Sequence, residues 1–324
     1  MSVKVVLRCA LAAMSVLTGF ASAQQYPTKA IRMIVPFAPG GPNDTLARIV
    51  GQRLTEQWGQ TVVIENRGGA GGTIGLETVS RLPADGYSIA MGGSSNIAVA
   101  PSLYKKLPYD SVKDFSPIIN VAGVPYALAV NRTVPANSAR ELVTLAGRKA
   151  GYLSYGSSGV GSMSSLAAEL FKSMSRREIV HVSYKGTAPA LLDVVAGNID
   201  MMFADLAVVE PHAGAGKLKV LGVTSAKRLA SAPNIPTISE SGLKGYAVEA
   251  WFGIVGPAGM PKEIVTRLNT TIAAILKMPD TVQRFNALHY VPLGGTSEQF
   301  ASTIKSDIAS YAKIVNTAGI TSDL

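Results

Sequence analysis

Five short stretches hold most of the residues able to grip a ligand: APGGPND (38–44), RGGAGGT (67–73), GGSSN (92–96), YGSSGVGSMS (155–164) and YKGTAP (184–189). Glycine, serine and threonine dominate them, and ionised side chains are few. Glycine lets a ligand approach the main chain and lets φ turn positive. A helix that starts there offers unpaired N–H groups and the positive end of its dipole, which suit a carboxylate or phosphate. Hydroxyls add donors without adding charge. Any one such stretch is an ordinary turn. Five of them, spread over both halves of the chain, point to a ligand held between two domains. Asp44 looks out of place in an anion site; standing just before an apolar-periodic run, it reads as a helix N-cap and organiser of its loop.

Catalytic chemistry finds little support. Cys9 is the only cysteine and falls in the N-terminal leader, so the mature chain has no disulfide, thiolate nucleophile or cysteine metal site. The histidines are His181, His212 and His289, and none has a recognisable metal-ligand or triad partner. His181 lies in a strand-like run and reads as packed. Gly69, Gly71 and Gly75 come near the dinucleotide fingerprint, but after the second strand and not the first. YGSSGVG is not the G-x-S-x-G of a nucleophile elbow. Neither enzyme activity nor a cofactor or metal is expected.

The loops need elements to hold them. Strand-like runs cover 31–37, 61–66 and 86–93, with helices over 45–58 and near Leu76, a parallel α/β unit. VPYALAV (124–130) opens a second series, with strands near 152–155, 179–183, 199–203 and 218–223. Helices are expected to start near Ser138, Ser162, Thr187 and Leu206. Residues 226–246 are rich in proline and serine. A strand over 248–255 follows, then helices near 261–277, 280–288 and 297–318 with no strands between them. The pattern predicts an α/β fold of two domains, each a mostly parallel sheet flanked by helices. Residues 24–123 and 247–324 form the first domain and 124–246 the second. In open sheets ligands bind beyond the strands' carboxyl ends, where the five loops stand.

With 47% hydrophobic and 16% charged residues, the 324-residue chain is globular. Residues 1–23 read as a secretory signal peptide: Lys4 and Arg8, an apolar run, and the small residues Ala-Ser-Ala before Gln24. Cys9 follows Arg8, which does not fit a lipoprotein signal. No later run is apolar enough to span a bilayer. The net charge of +9 falls to +7 once the leader leaves, and without a basic stripe it does not suit nucleic acid.

The chain resembles the periplasmic solute-binding proteins of tripartite tricarboxylate transport systems, the Bug family. The resemblance runs through the whole mature chain: IVPFAPGGPNDTLAR, VVIENRGGAGGTIG, YGSSGVGSMSSLAAELF, VSYKGTAPALLDVVAGNIDMMF, GKLKVLGVTSAKR, PNIPTISESG and WFGIVGPAGMPKEIVTRLN all match family blocks. It implies a non-catalytic Venus-flytrap binding protein, type II-like, holding a small carboxylate between its domains. The family's site carries over to Phe37, Gly40, Gly41, Asn43, Asp44 and Thr45 in the first domain, and to Ser157, Ser158, Gly159, Gly161 and Ser162 in the second. Thr73, Ser94 and Asn96 are further candidates, and Thr187 and Asp205 are expected to read the far end of the ligand. Gly68, Ser165, Ser183 and Ala188 depart from commoner family residues. The resemblance also implies a membrane-transporter partner; a monomer is expected, with hinges where the chain crosses between domains, near 122–126 and 246–252. A sensory module with the same cleft, reporting to a kinase or receptor, is the alternative.

Overall fold

The computed structural model describes residues 26–318 and 320, so the leader lies outside the described residues. The chain first lays down β1 (Ile31–Val35), α1 (Pro42–Trp58), β2 (Val62–Asn66), α2 (Thr73–Ser80), β3 (Ser88–Gly93), α3 (Ala100–Leu103) and β4 (Phe115–Val124). A second series follows: β5 (Tyr126–Asn131), α4 (Ala139–Ala146), β6 (Leu153–Ser157), α5 (Met163–Ser175), β7 (Ile179–Ser183), α6 (Thr187–Ala196), β8 (Met201–Asp205), α7 (Leu206–Gly214) and β9 (Leu218–Val223). The chain then returns with β10 (Ala250–Pro257), α8 (Lys262–Ile275), α9 (Pro279–Ala287), β11 (Val291–Gly294) and α10 (Ser297–Ala318).

Two sheets result, a six-stranded one ordered β11-β4-β10-β3-β1-β2 and a five-stranded one ordered β7-β6-β8-β5-β9. The expectation of mostly parallel sheets needs correction. Each has a parallel trio, β2-β1-β3 and β7-β6-β8, extended by antiparallel strands. The cause is the double crossover: β5 enters the second sheet, and β10 the first, against the direction of its neighbours. Only Pro125 separates β4 from β5, so the chain changes sheet there. On the return, Tyr246 still packs against Phe171 and Phe203 of the second lobe, and Val248 N–H still bonds Thr224 O at 2.9 Å. The chain therefore crosses between Val248 and Ala250.

Two strands went unforeseen. β4 carries Pro117, a residue that breaks a strand pattern, yet it pairs along most of its length with β10. β11 (VPLG) is a four-residue edge strand between α9 and α10, which contradicts the expectation of helices alone. The helix after β1 also starts earlier than expected, at Pro42, whose fixed φ suits a first helical position. Its Leu46, Ile49, Val50 and Leu54 form one buried stripe packed over β1, β2 and β3. At about 1.5–3 kcal/mol for each such side chain, this stripe holds the preceding loop in place. Gly59 ends the helix with φ of 66°.

Candidate functional site

Three helix N-termini converge on one small cavity between the lobes. Gly41, Pro42 and Asn43 bring the start of α1 to it; Ser158, Ser162 and Met163 bring the start of α5; Thr187 opens α6. Phe37, Ala38, Ser95, Tyr126 and Phe252 complete the wall. No ionised side chain is among them. The cavity is small, with a volume of about 10 Å³. Gly41 and Gly186, the caps of α1 and α6, supply no side-chain acceptor. First-turn N–H groups have no partner within their own helix, and each helix adds about half a positive charge at its N-terminus. A neutral wall at the positive ends of three helices can hold an anion without a basic residue.

The lobes meet around this cavity at glycines. A Cβ built on Gly71 would lie 2.5 Å from Val160 O, one on Gly186 would lie 3.0 Å from Ala38 Cβ, and one on Gly41 would lie 3.5 Å from Thr187 Oγ1. Gly71 and Gly186 also have φ of +62° and +148°, so both backbone shape and lack of bulk are used there. Tyr104 OH, in the first lobe, donates to Ala70 O at 2.8 Å and reaches Val160 O of the second at 3.3 Å. The clasp shows the cleft in a closed arrangement. Beside it, sharing Phe37, Ala38 and Ser158, opens a wider mouth of about 840 Å³ edged by 68–72, Ile74, Ser183, Tyr184 and Lys185.

Residues 46–320 match the tripartite tricarboxylate transporter family receptor. The chain belongs to that family. It is 32% identical to protein BugT of Bordetella pertussis over 299 residues, 92% of each chain. R. palustris Rpa4515 with adipate superposes on it with a TM-score of 0.88 at 38% identity, over 91% of this chain and 98% of that one. MatC (Rpa3494) from Rhodopseudomonas palustris with bound malate does so with a TM-score of 0.86 at 29% identity, over 90% of this chain and all of that one. Receptors of this family are periplasmic solute-binding proteins and not enzymes.

Within this receptor the sixteen sequence candidates separate by position. Phe37, Gly41, Asn43, Ser158, Ser162 and Thr187 line the cavity, and Gly159 lines the mouth. Gly40, Asp44, Thr45, Thr73, Ser94, Asn96, Ser157, Gly161 and Asp205 line neither. Asp44 is not the N-cap: it sits in the first turn of α1 and accepts from Gly40 N–H (3.2 Å), Asn66 Nδ2 (3.0 Å) and Arg48 (both contacts 2.9 Å). Burial works to raise its pKa, but these hydrogen bonds hold it below the usual carboxylate value. Asn66 also donates to Phe37 O at 3.0 Å, so one amide ties β2 to both ends of the first loop.

Thr73 bonds Ala70 O, Ser94 meets Trp251 N–H, and Asn96 Oδ1 accepts from Gly93 N–H; all three brace backbone. Asp205 does not line the cavity. It is buried at the start of α7, where it accepts from Ala207 N–H (3.1 Å) and from Tyr290 OH of the first lobe.

Two of the histidines also have partners that the sequence did not reveal. His181 Nε2 lies 2.7 Å from Ser157 Oγ and its ring stacks on Tyr155. Burial lowers the His181 pKa. Ser157 Oγ in turn accepts from Gly159 N–H at 3.2 Å, bracing the second-lobe loop. Ser157 is fully buried and lines neither the cavity nor the mouth, so in this structure the pair braces the backbone. His289, in the first lobe, pairs with Glu210 of α7 at 2.8 Å.

Ser95, Tyr126, Met163 and Phe252 are lining residues that sequence reasoning missed. Ser95 stands beside a chosen serine, at the start of the π-helical segment Ser95–Val99 whose geometry no local signal announced. Tyr126 and Phe252 come from the crossover strands, and only the tertiary fold brings those to the cleft.

Proposed function

We propose that this receptor captures a small carboxylate in the interlobe cavity and delivers it to a tripartite tricarboxylate-type membrane transporter. One carboxylate sits at the starts of α1, α5 and α6, compensated by helix dipoles and main-chain N–H groups. The observation that carries this reading is the convergence of three helix N-termini from both lobes on a cavity with no charged wall. Each lobe supplies part of the clamp, so only the closed form offers all of it, and ligand favours closure by its differential affinity. Closure swings about Pro125 and the Val248–Ala250 crossing. The relatives seen with adipate and malate bind acids of matching chemistry. The chain works as a monomer, exported by its leader 1–23.

The test is a thermal-shift screen of residues 24–324 against mono- and dicarboxylates, followed by calorimetry on the hits. A ligand that binds only the native state at 100 times its Kd adds about 2.7 kcal/mol of stability. A panel without a single stabilising acid refutes the carboxylate reading.

A further inference from the structure

The inner cavity is too small for a whole substrate. Its water-sized space of about 10 Å³ suits a terminal carboxylate, while the adjoining mouth offers about 840 Å³. Phe37, Ala38 and Ser158 belong to both, so one molecule can run from the inner cavity outward. The mouth is lined by glycines, by Ile74 and Tyr184, and by a single ionised side chain, Lys185. Among the described residues Lys185 forms no ion pair.

Its backbone is fixed on both sides. Tyr184 OH donates to Asp193 Oδ2 at 2.6 Å, and Asp193 is further occupied by Asn198 Nδ2 at 3.1 Å. Gly186 packs on Ala38 of the other lobe. The loop thus brings one lysine, with no ion-pair partner among the described residues, to the wall of an otherwise uncharged mouth.

Building on the carboxylate reading above, we propose that Lys185 determines specificity by pairing with a second anionic group at the far end of the ligand. The substrate class is then an elongated diacid: one carboxylate at the helix starts, an aliphatic middle against Phe37 and Ile74, and the other carboxylate at the lip. Closure assembles this path, because residues 68–72 belong to one lobe and 184–185 to the other. The cost of burying the first carboxylate falls on dipoles, and the discrimination between mono- and diacids falls on one lysine.

The experiment is calorimetry on residues 24–324 with the diacids from succinate to pimelate and the monoacids of equal length, in the wild type, Lys185→Met and Lys185→Arg. Thermal unfolding of the ligand-free variants checks that the exposed side chain leaves folding unchanged. In the wild type a diacid binds about tenfold more tightly than its monoacid, about 1.4 kcal/mol. Lys185→Met removes that preference by weakening the diacid alone, and Lys185→Arg retains most of it. The preference also shrinks between 20 and 500 mM salt, as a partly exposed charge pair requires.

A diacid preference that survives Lys185→Met overturns the lysine's role and leaves the carboxylate site standing. Equal binding of mono- and diacids by the wild type does the same. If no acid in either series binds, the site reading and the inference fall together.

Discussion

Replacing Asp205 with asparagine changes one atom of a buried carboxyl: Oδ1 still accepts from Ala207 N–H, while the new amide NH2 faces Tyr290, whose hydroxyl oxygen can accept from it. Burial raises the Asp205 pKa from 3.8 to about 7, against the pull of the Tyr290 and Ala207 hydrogen bonds. Because the folded value lies above the unfolded one, the folded chain keeps a proton that the unfolded chain releases between about pH 4 and 7. The stabilisation is complete below the unfolded pKa and lost as pH rises through the folded one. At about 1.4 kcal/mol per pH unit, the full span amounts to about 4 kcal/mol, and the window from pH 4.5 to 7.5 captures about 3 kcal/mol of it.

Urea unfolding of wild type and Asp205→Asn at a series of pH values reads this directly, because the difference between the two proteins cancels every other titration. Asp44 is the useful contrast. Its pKa is lowered, so its contribution runs the opposite way and is lost on acidification, equally in both proteins. The expected result is a wild type that loses about 3 kcal/mol relative to the variant from pH 4.5 to 7.5, with unchanged m-values. Curves that stay parallel to within about 1 kcal/mol would mean that the carboxyl is solvated or ionised in the native state. The buried interlobe contact with Tyr290 would then be misread.

Two further outcomes concern closure. Gly71→Ala places a methyl group 2.5 Å from Val160 O across the cleft; it should lower ligand affinity at least tenfold, and small-angle scattering should show a ligand-saturated protein still extended, whereas a normally closed complex would contradict the steric argument. Tyr104→Phe removes the donor shared by Ala70 O and Val160 O; at about 1 kcal/mol for such a bond ligand release should quicken about fivefold with association unchanged, and stopped-flow dissociation measures it.

How much of this was legible in the sequence depends on which residues carried the signal. Gly41, Asn43, Ser158, Ser162 and Thr187, which line the cavity, were legible because a strand-to-helix turn whose backbone faces open space must be written in small residues. The parallel trios were legible from their alternation with helices. Tyr126 and Phe252 were not: their side chains match ordinary buried strand residues, and the crossover that aims them at the cleft is a tertiary fact. β4 was obscured by Pro117, and β11 by its four-residue length. Asp205 was ambiguous for another reason. An acid at a strand's carboxyl end suits both a ligand contact and a helix cap, and only Tyr290, 85 positions away, decides between them.

Dipoles in place of a basic side chain, as we propose for the inner carboxylate, have a physical consequence. An arginine in the cavity would bring its own desolvation cost to the closed form and would attract an anion to the open one. Helix N-termini are already paid for by the fold, and each lobe holds only some of them: α1 in the first, α5 and α6 in the second. An anion on one lobe alone therefore meets an incomplete clamp and remains in water. Only when Gly41 approaches Thr187 and Gly71 approaches Val160 do the three starts share one small volume. A side chain larger than hydrogen at Gly71 would stop that approach short of contact. The glycine richness that first marks these loops as flexible turns serves, in the closed receptor, to let two backbones come close enough to act on one ligand.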